Sequence, residues 1–187
     1  MKRNIRPAKS SHDSATGGGA EVPITNRDPE QTGLEPAHPV LQAVAAHLRR
    51  HKLKYAVVPT GEALVFNMSS GQLLWSTLVY VLEDKAILCF RIWLPLLAPP
   101  TRRGPAAALL TKLNYGNLLG FWQMDPDDGE ILFAVNHLLG DQPPTEEQIK
   151  AFLGVGINAM GDEGPEILRL ISRPSRPRKA PLDPSRN

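Results

Sequence analysis

The segment from Leu109 to Leu139 constrains the fold of this 187-residue chain more than any other, because it predicts a helix that leads directly into a β-hairpin. Apolar residues at helical spacing end at Asn114, and Leu118 to Met124 is rich in the aromatic and aliphatic residues typical of strands. Asp125 to Gly129 is a cluster of turn-forming residues, and Glu130 to Leu139 has the pattern of a second strand. Two strands joined by so short a turn must pair antiparallel.

Periodic patterns predict the other elements of the same domain. They are a helix over Pro39 to about Lys52, extended segments over Tyr55 to Val58 and Ala63 to Met68, strands over Leu73 to Leu82 and Ala86 to Leu94, a helix that Pro105 opens, and a helix after the capping box at Thr145 that Gly161 to Gly164 interrupt or kink. The order α-β-β-β-α-β-β-α predicts an α+β fold, with a single antiparallel sheet packed against helices.

The distribution of large apolar residues predicts three regions. Residues 1–36 contain Gly17 to Gly19 and few large aliphatic side chains, so they cannot bury enough apolar surface to offset the entropy of ordering them. Residues 173–187 fail the same test. We therefore expect a disordered N-terminal segment (1–36), one folded domain (37–172) and a disordered basic tail (173–187).

The net charge of +2 is unevenly distributed. Residues 37–172 carry 11 Lys and Arg against 13 Asp and Glu, and the positive excess lies in the tail, at Arg173, Arg176, Arg178, Lys179 and Arg186. A basic tail can attract nucleic acid, anionic lipid or an acidic protein surface, or can simply keep the protein soluble. Because the domain itself has no basic stripe, nucleic-acid binding is predicted only through the tail.

The number of cysteines and the hydropathy pattern indicate the cellular compartment of the protein. Cys89 is the only cysteine, so neither an intramolecular disulfide nor a thiolate metal site can form within one chain. Arg91 and Pro95 interrupt the most apolar stretch before it reaches the length of a membrane span, and the basic N-terminus lacks the apolar region of a secretory signal. The expectation is a cytoplasmic protein without a membrane span.

The sequence contains few candidate motifs for metal binding, cofactor binding or catalysis. His47 and His51 stand four residues apart on the first helix, a spacing that can serve a metal, but no third ligand lies between them, so we expect solvated histidines. The acidic run Asp125 to Glu130 lacks the ligand alternation of an EF-hand, and Gly154 to Gly156 lies inside a helical pattern, where small residues let the helix approach its sheet closely. The sequence predicts no enzyme activity, no cofactor and no metal.

The hydrophobic spacing resembles that of the YbjN family of bacterial proteins, whose fold is similar to that of type III secretion chaperones. The resemblance spans Val40 to Ile171, and its residues are the strand ending in Leu94-Pro95, the helix ending in Leu113-Asn114, Asn117, Gly120-Phe121, the Asp125 to Gly129 turn and the strand Ile131 to Leu139. It implies a non-enzymatic domain that acts through protein contacts, with homodimerisation and a regulatory or chaperone-like role as options.

Four residues of this pattern have predicted structural roles. At the end of a helix, Asn114 and Asn117 can take the left-handed conformation, and their amides can bond free carbonyls or the backbone of the following strand. Gly120 belongs to the family pattern, and Gly129 is expected to take positive φ in the hairpin turn.

The aromatic residues of the strands are candidates for partner binding: Trp75, Trp93, Phe121 and Trp122. Alternation along a strand places Phe121 and Trp122 on opposite faces of the sheet, so at least one is a candidate for exposure. Three alternatives are open for the second face: cover by tails, helices or a subunit, an apolar groove or sheet edge that receives a peptide by strand addition, or a two-fold dimer contact.

Overall fold

A computed structural model describes residues 34–70 and 73–173. These residues form helices α1 (Pro39–Arg50), α2 (Pro100–Gly116), α3 (Glu146–Asn158) and α4 (Gly164–Ser172), and strands β1 (Ala56–Val57), β2 (Ala63–Ser70), β3 (Leu73–Leu82), β4 (Ile87–Trp93), β5 (Phe121–Met124) and β6 (Ile131–Leu138). Most of the predicted N-terminal disordered segment and of the basic tail lies outside the described residues.

The six strands form one sheet in the order β1-β2-β3-β4-β6-β5, and every neighbouring pair is antiparallel. The predicted α+β class with a single antiparallel sheet is therefore confirmed. The turn between β3 and β4 is a short 3₁₀ segment over Glu83–Lys85, and Ala86 closes it in the left-handed conformation at φ 49°. The two edges of the sheet are the two-residue β1 and the four-residue β5.

One face of the sheet carries the core. Side chains from the central strands pack there against the helices, and the largest fully buried ones from the sheet are Leu64, Phe66, Trp75, Leu88, Phe90, Ile131 and Phe133. Helix α1 covers β2 and β3, and α3 covers β6. A Cβ at Gly156 would overlap Ile92, so this glycine allows the close approach of α3 to the sheet that the sequence predicts.

Helix α2 begins one turn earlier than predicted. Pro100, rather than Pro105, occupies its first turn, and Pro105 lies inside the helix although it cannot donate a backbone hydrogen bond there. Two arginines hold this first turn in place. Arg102 donates to the carbonyl of Arg173 at 2.9 Å, and Arg103 donates to the carbonyls of Pro126 and Asp127, each at 2.9 Å.

The hairpin strand β5 is shorter than predicted. It begins at Phe121, whereas Leu118 and Leu119 lie exposed in the connection from α2. The predicted capping box of α3 is present, because Thr145 accepts from the Gln148 backbone and Gln148 accepts in return. The predicted interruption before the last helix is a π-helical turn over Ala159–Glu163.

Candidate functional site

The face of the sheet that points away from the helices is apolar. Its large apolar side chains are Val65, Leu74, Leu78, Tyr80, Leu82, Ile87, Trp93, Phe121, Leu132 and Leu138, and we call this set the open face. None of them belongs to the buried core cluster or to the residues packed against it. Phe121 and Leu138 are 36% and 72% exposed, and the others are half-buried. The open face is thus a second apolar surface, separate from the core.

Arg91 lies at the centre of the open face. Its Nη1 donates to Asn136 Oδ1 at 2.8 Å and to the Phe90 carbonyl at 3.0 Å, and its guanidinium carbon is 5.7 Å from the centre of the Tyr80 ring. No ion pair among residues 34–70 and 73–173 includes Arg91. A full positive charge therefore stands within an apolar surface, held by neutral groups.

The phenol of Tyr80, beside Arg91, has a shifted pKa. Burial raises the pKa of Tyr80, and the neighbouring Arg91 charge, which lowers it, does not offset this. The phenol therefore stays neutral at physiological pH and supplies no negative charge beside Arg91.

The edge of the sheet at β5 is closed by a side chain. Trp122 N–H donates to Asn114 Oδ1 at 2.7 Å, and Asn114 Nδ2 donates to the Trp122 carbonyl at 2.9 Å. This is the contact with the strand backbone that the sequence predicts for Asn114. Both outward backbone groups of Trp122 are therefore bonded within the chain, so this residue has no free backbone group to pair with an added strand.

Three side chains, those of Asn117, Trp122 and Glu163, form a hydrogen-bonded cluster next to this edge. Asn117 Nδ2 donates to Glu163 Oε2 at 3.3 Å, and the Trp122 indole N–H donates to the same oxygen. This cluster connects the end of α2, strand β5 and the turn before α4. Neither asparagine takes the predicted left-handed conformation, because the non-glycine residues with positive φ among those described are Lys52 and Ala86. Sequence reasoning missed Glu163, since no motif relates it to Trp122.

Both glycines of the family pattern occupy restricted positions. A Cβ at Gly120 would overlap the Phe133 ring. Gly129 has φ of +84°, as predicted, and a Cβ there would overlap the Ala98 backbone, whose N–H donates to the Gly129 carbonyl at 2.7 Å. The turn is therefore fixed against the segment that precedes α2.

The four candidate aromatic residues separate into two pairs. Trp75 and Trp122 are 2% and 3% exposed and belong to the core, so they offer no surface to a partner and the prediction for them is corrected. Trp93 and Phe121 lie on the open face. Phe121 and Trp122 do point to opposite faces, as alternation requires.

His47 corrects a further expectation, because it is buried rather than solvated, with 4% exposure. Its Nδ1 lies 2.7 Å from Glu146 Oε1, and His51 Nε2 lies 3.4 Å from the same oxygen. Arg50 Nη1 contacts Glu146 Oε2 at 3.0 Å. No third ligand lies beside the two histidines in the sequence. Glu146 supplies one from the start of α3, about 95 residues downstream of His51.

The pKa of Glu146 is below its ordinary value of 4.5. Partial burial alone would raise this pKa, but the hydrogen bond from His47, the charges of His47 and Arg50, and the bond from His51 outweigh it. The carboxylate is therefore ionised at neutral pH.

A cleft of about 500 Å³ lies where the start of α1 meets the β3–β4 turn and the segment after β6. Its ionisable side chains are His38, Glu83 and Asp141, and its lining contains no Ser, Thr, Cys or Lys. His38 Nδ1 already accepts from the Val40 N–H at 3.1 Å. The cleft offers no nucleophile with a positioned base, so we assign no reaction to it.

Together these features describe a small α+β domain with one sheet, a β5 edge to which Asn114 bonds, and an apolar face that no helix of residues 34–70 and 73–173 covers. Residues 41–169 match the model of the YbjN family, described as "Putative bacterial sensory transduction regulator", and the chain belongs to this family. The family is described as a regulator and not as an enzyme. No curated protein matches the sequence.

A solved structure supports the fold. The chain is similar to YbjN of E. coli, whose structure is titled as that of a putative transcription regulator, with 17% sequence identity and a TM-score of 0.50. The match covers 69% of this chain and 89% of the E. coli chain. No helix in the described part of the chain is both long and apolar enough to cross a membrane.

Proposed function

We propose that this protein is a non-enzymatic, cytoplasmic regulator whose domain, residues 37–172, binds another protein through the open face. The observation that carries the proposal is the apolar surface around Arg91, which lies outside the core cluster. Contiguous apolar surface that a fold does not use for its own core marks interaction sites. The description of the family as a regulator of sensory transduction agrees with this role.

The composition of the open face suits a protein partner. Aromatic residues and arginine are enriched at protein interfaces, and Trp93, Phe121 and Arg91 bring these side chains together. A partner that places a carboxylate against Arg91 would gain a charge-assisted hydrogen bond in a surface that excludes water. We therefore propose a partner with apolar side chains around a central acidic residue.

A second copy of this chain, bound through the open face in a symmetric dimer, is a less favourable partner than a different protein. If a two-fold axis passed through the centre of the open face, Arg91 would meet Arg91 of the second copy. Two unpaired guanidinium groups would then be buried together, which costs free energy. We therefore propose a different protein as the partner, and the light-scattering measurement described below tests for self-association.

The experiment compares open-face and helix-side positions in the full chain. A photo-crosslinking amino acid is placed at Phe121 on the open face, or at Lys150, an exposed residue of α3. Crosslinked proteins are identified by mass spectrometry from native lysate, and light scattering on the purified chain reports dimers. We expect a discrete partner from position 121 and none from position 150.

Charge reversal then tests the role of Arg91. Arg91→Glu should abolish partner capture, whereas Arg169→Glu, an exposed arginine on α4, should preserve it. Circular dichroism and thermal melting confirm that both variants fold. Capture that Arg91→Glu leaves unchanged, or crosslinks from position 150 alone, would refute the proposal.

The alternative function is nucleic-acid association through the basic tail. Arg173 is the one tail residue that the structure describes, and its carbonyl binds Arg102. Binding to nucleic acid at two salt concentrations, with and without residues 173–187, tests this alternative. Salt-sensitive affinity that disappears with the tail would support it in place of the open face.

A further inference from the structure

We propose that His47, His51 and Glu146 form a binding site for a divalent transition-metal ion, for which Zn²⁺ has the matching ligand chemistry. Each residue offers one ligand atom, and these atoms lie within 4.8 Å of one another. Two imidazole nitrogens and one carboxylate oxygen are a set that Zn²⁺ accepts, with water in the fourth position. The site lies on the helix side of the sheet and does not depend on the function proposed for the open face.

The two histidines are preorganised by helix α1. They stand four residues apart, one turn of the helix, and their ring centres are 4.4 Å apart. His47 is 96% buried, since it is only 4% exposed, so packing restricts its imidazole, whereas the His51 side chain is 50% exposed and can adjust. One fixed and one adjustable ligand allow an ion to be enclosed without a shift of the backbone.

Glu146 is held from two sides. It is the first residue of α3, whose start is fixed by the Thr145 capping box. Arg50 takes Oε2 at 3.0 Å, which leaves Oε1 directed at both imidazoles. A polar partner on the second oxygen of a ligating carboxylate is the usual outer-shell arrangement of metal sites. The positive charge of Arg50 reduces the attraction for a cation, so we expect a site of moderate affinity.

Metal binding replaces an existing contact. The histidine nitrogens must be free of protons to ligate, so an ion would replace the direct contact between His47 Nδ1 and Glu146 Oε1 and would compete with protons for both imidazoles. The ion would then join α1 to α3, which lie on different parts of the sheet. Zn²⁺ binding is therefore expected to stabilise the folded chain and to weaken as the pH falls.

The test uses the full chain after removal of metals with EDTA. Titration with Zn²⁺ by calorimetry should show one ion per chain, and thermal melting should show a higher Tm with Zn²⁺ than with EDTA. Co²⁺ should give the visible absorption of a low-symmetry nitrogen and oxygen site. Mg²⁺ should leave the Tm unchanged, because it prefers oxygen ligands in octahedral geometry.

Two variants identify the ligands. His51→Ala and Glu146→Gln should each lower Zn²⁺ affinity by at least about 100-fold, since loss of outer-shell partners alone costs about 10- to 100-fold. Glu147→Gln is the matched control, because Glu147 is the exposed neighbour of Glu146 and is not one of the three proposed ligands, and it should bind Zn²⁺ as the wild type does. His51 is half exposed, so its variant should fold.

Two results would overturn the proposal. One is a wild-type chain that neither binds Zn²⁺ stoichiometrically nor gains Tm. The other is Zn²⁺ binding that His51→Ala and Glu146→Gln leave intact. Either result leaves the open face untouched, because the crosslinking experiment above has a separate readout.

Discussion

The side-chain amide of Asn114 pairs with the backbone of Trp122 as a neighbouring strand would, accepting from its N–H at 2.7 Å and donating to its carbonyl at 2.9 Å. Because β5 is an edge strand, these two backbone groups would otherwise face solvent or another chain. The end of helix α2 thus ends the sheet as well. An intramolecular contact thus occupies the backbone groups that Trp122 would otherwise offer at the β5 edge.

Asn114→Ala is expected to destabilise the fold by about 1–3 kcal/mol, because both backbone groups of Trp122 lose their partner. Urea unfolding followed by circular dichroism measures this. Thr111→Ala, an exposed position on the same helix, is the control and should stay within about 0.5 kcal/mol of the wild type. Equal midpoints for the two variants would show that the Asn114 bonds contribute nothing.

Glu163→Ala should also destabilise the fold, since it leaves the buried Trp122 indole N–H and the Asn117 amide without their shared acceptor. We expect a loss of about 1–3 kcal/mol in the free energy of unfolding. Glu163→Gln keeps an acceptor oxygen and should lose less, and Glu166→Ala, exposed on α4, should lose least. If Gln and Ala were equally destabilising, the carboxylate charge and not the hydrogen bond would matter.

The sequence predicts the order of the elements because alternation in β3, β4 and β6 and helical spacing in α1 and α3 are local signals. It misplaces the start of α2 because proline suits the first turn, and both Pro100 and Pro105 satisfy that rule. What decides between them is tertiary: Arg102 and Arg103 bind carbonyls of Arg173, Pro126 and Asp127 and hold an extra turn. No local pattern carries that information.

The same limit applies to the sites. Alternation predicts that Phe121 and Trp122 face opposite ways, but only the position of the helices decides which one is buried. His47 and His51 are recognisable as a pair from their spacing, whereas Glu146 is distant in sequence and meets them through the packing of α1 against α3. Contacts between separate elements are therefore the part that pattern reasoning misses.

The low pKa of Glu146 gives a pH-dependent stability. Because its pKa in the folded state lies below the ordinary 4.5, the unfolded chain takes up this proton first. The contribution of Glu146 is thus present above pH 4.5 and is lost as the pH falls through the folded-state value. Unfolding free energies across this range should decline less steeply for Glu146→Gln than for the wild type. Glu147→Gln, the exposed neighbour, should follow the wild type, and a parallel decline in all three chains would refute the assignment.

Gly129→Ala tests whether the hairpin turn is fixed by its conformation and by its contact with the segment before α2. A left-handed φ of +84° costs an alanine about 1–2 kcal/mol, and the added methyl group must displace the Ala98 backbone. We expect a total loss of about 2–4 kcal/mol in the free energy of unfolding, measured with urea. Gly140→Ala is the matched control, because a Cβ there meets no atom within 4 Å and the φ is ordinary. It should change stability little. If Gly129→Ala were as stable as Gly140→Ala, the turn would have to relax without loss of the 2.7 Å bond from Ala98 to the Gly129 carbonyl, and the close contact would not define the hairpin.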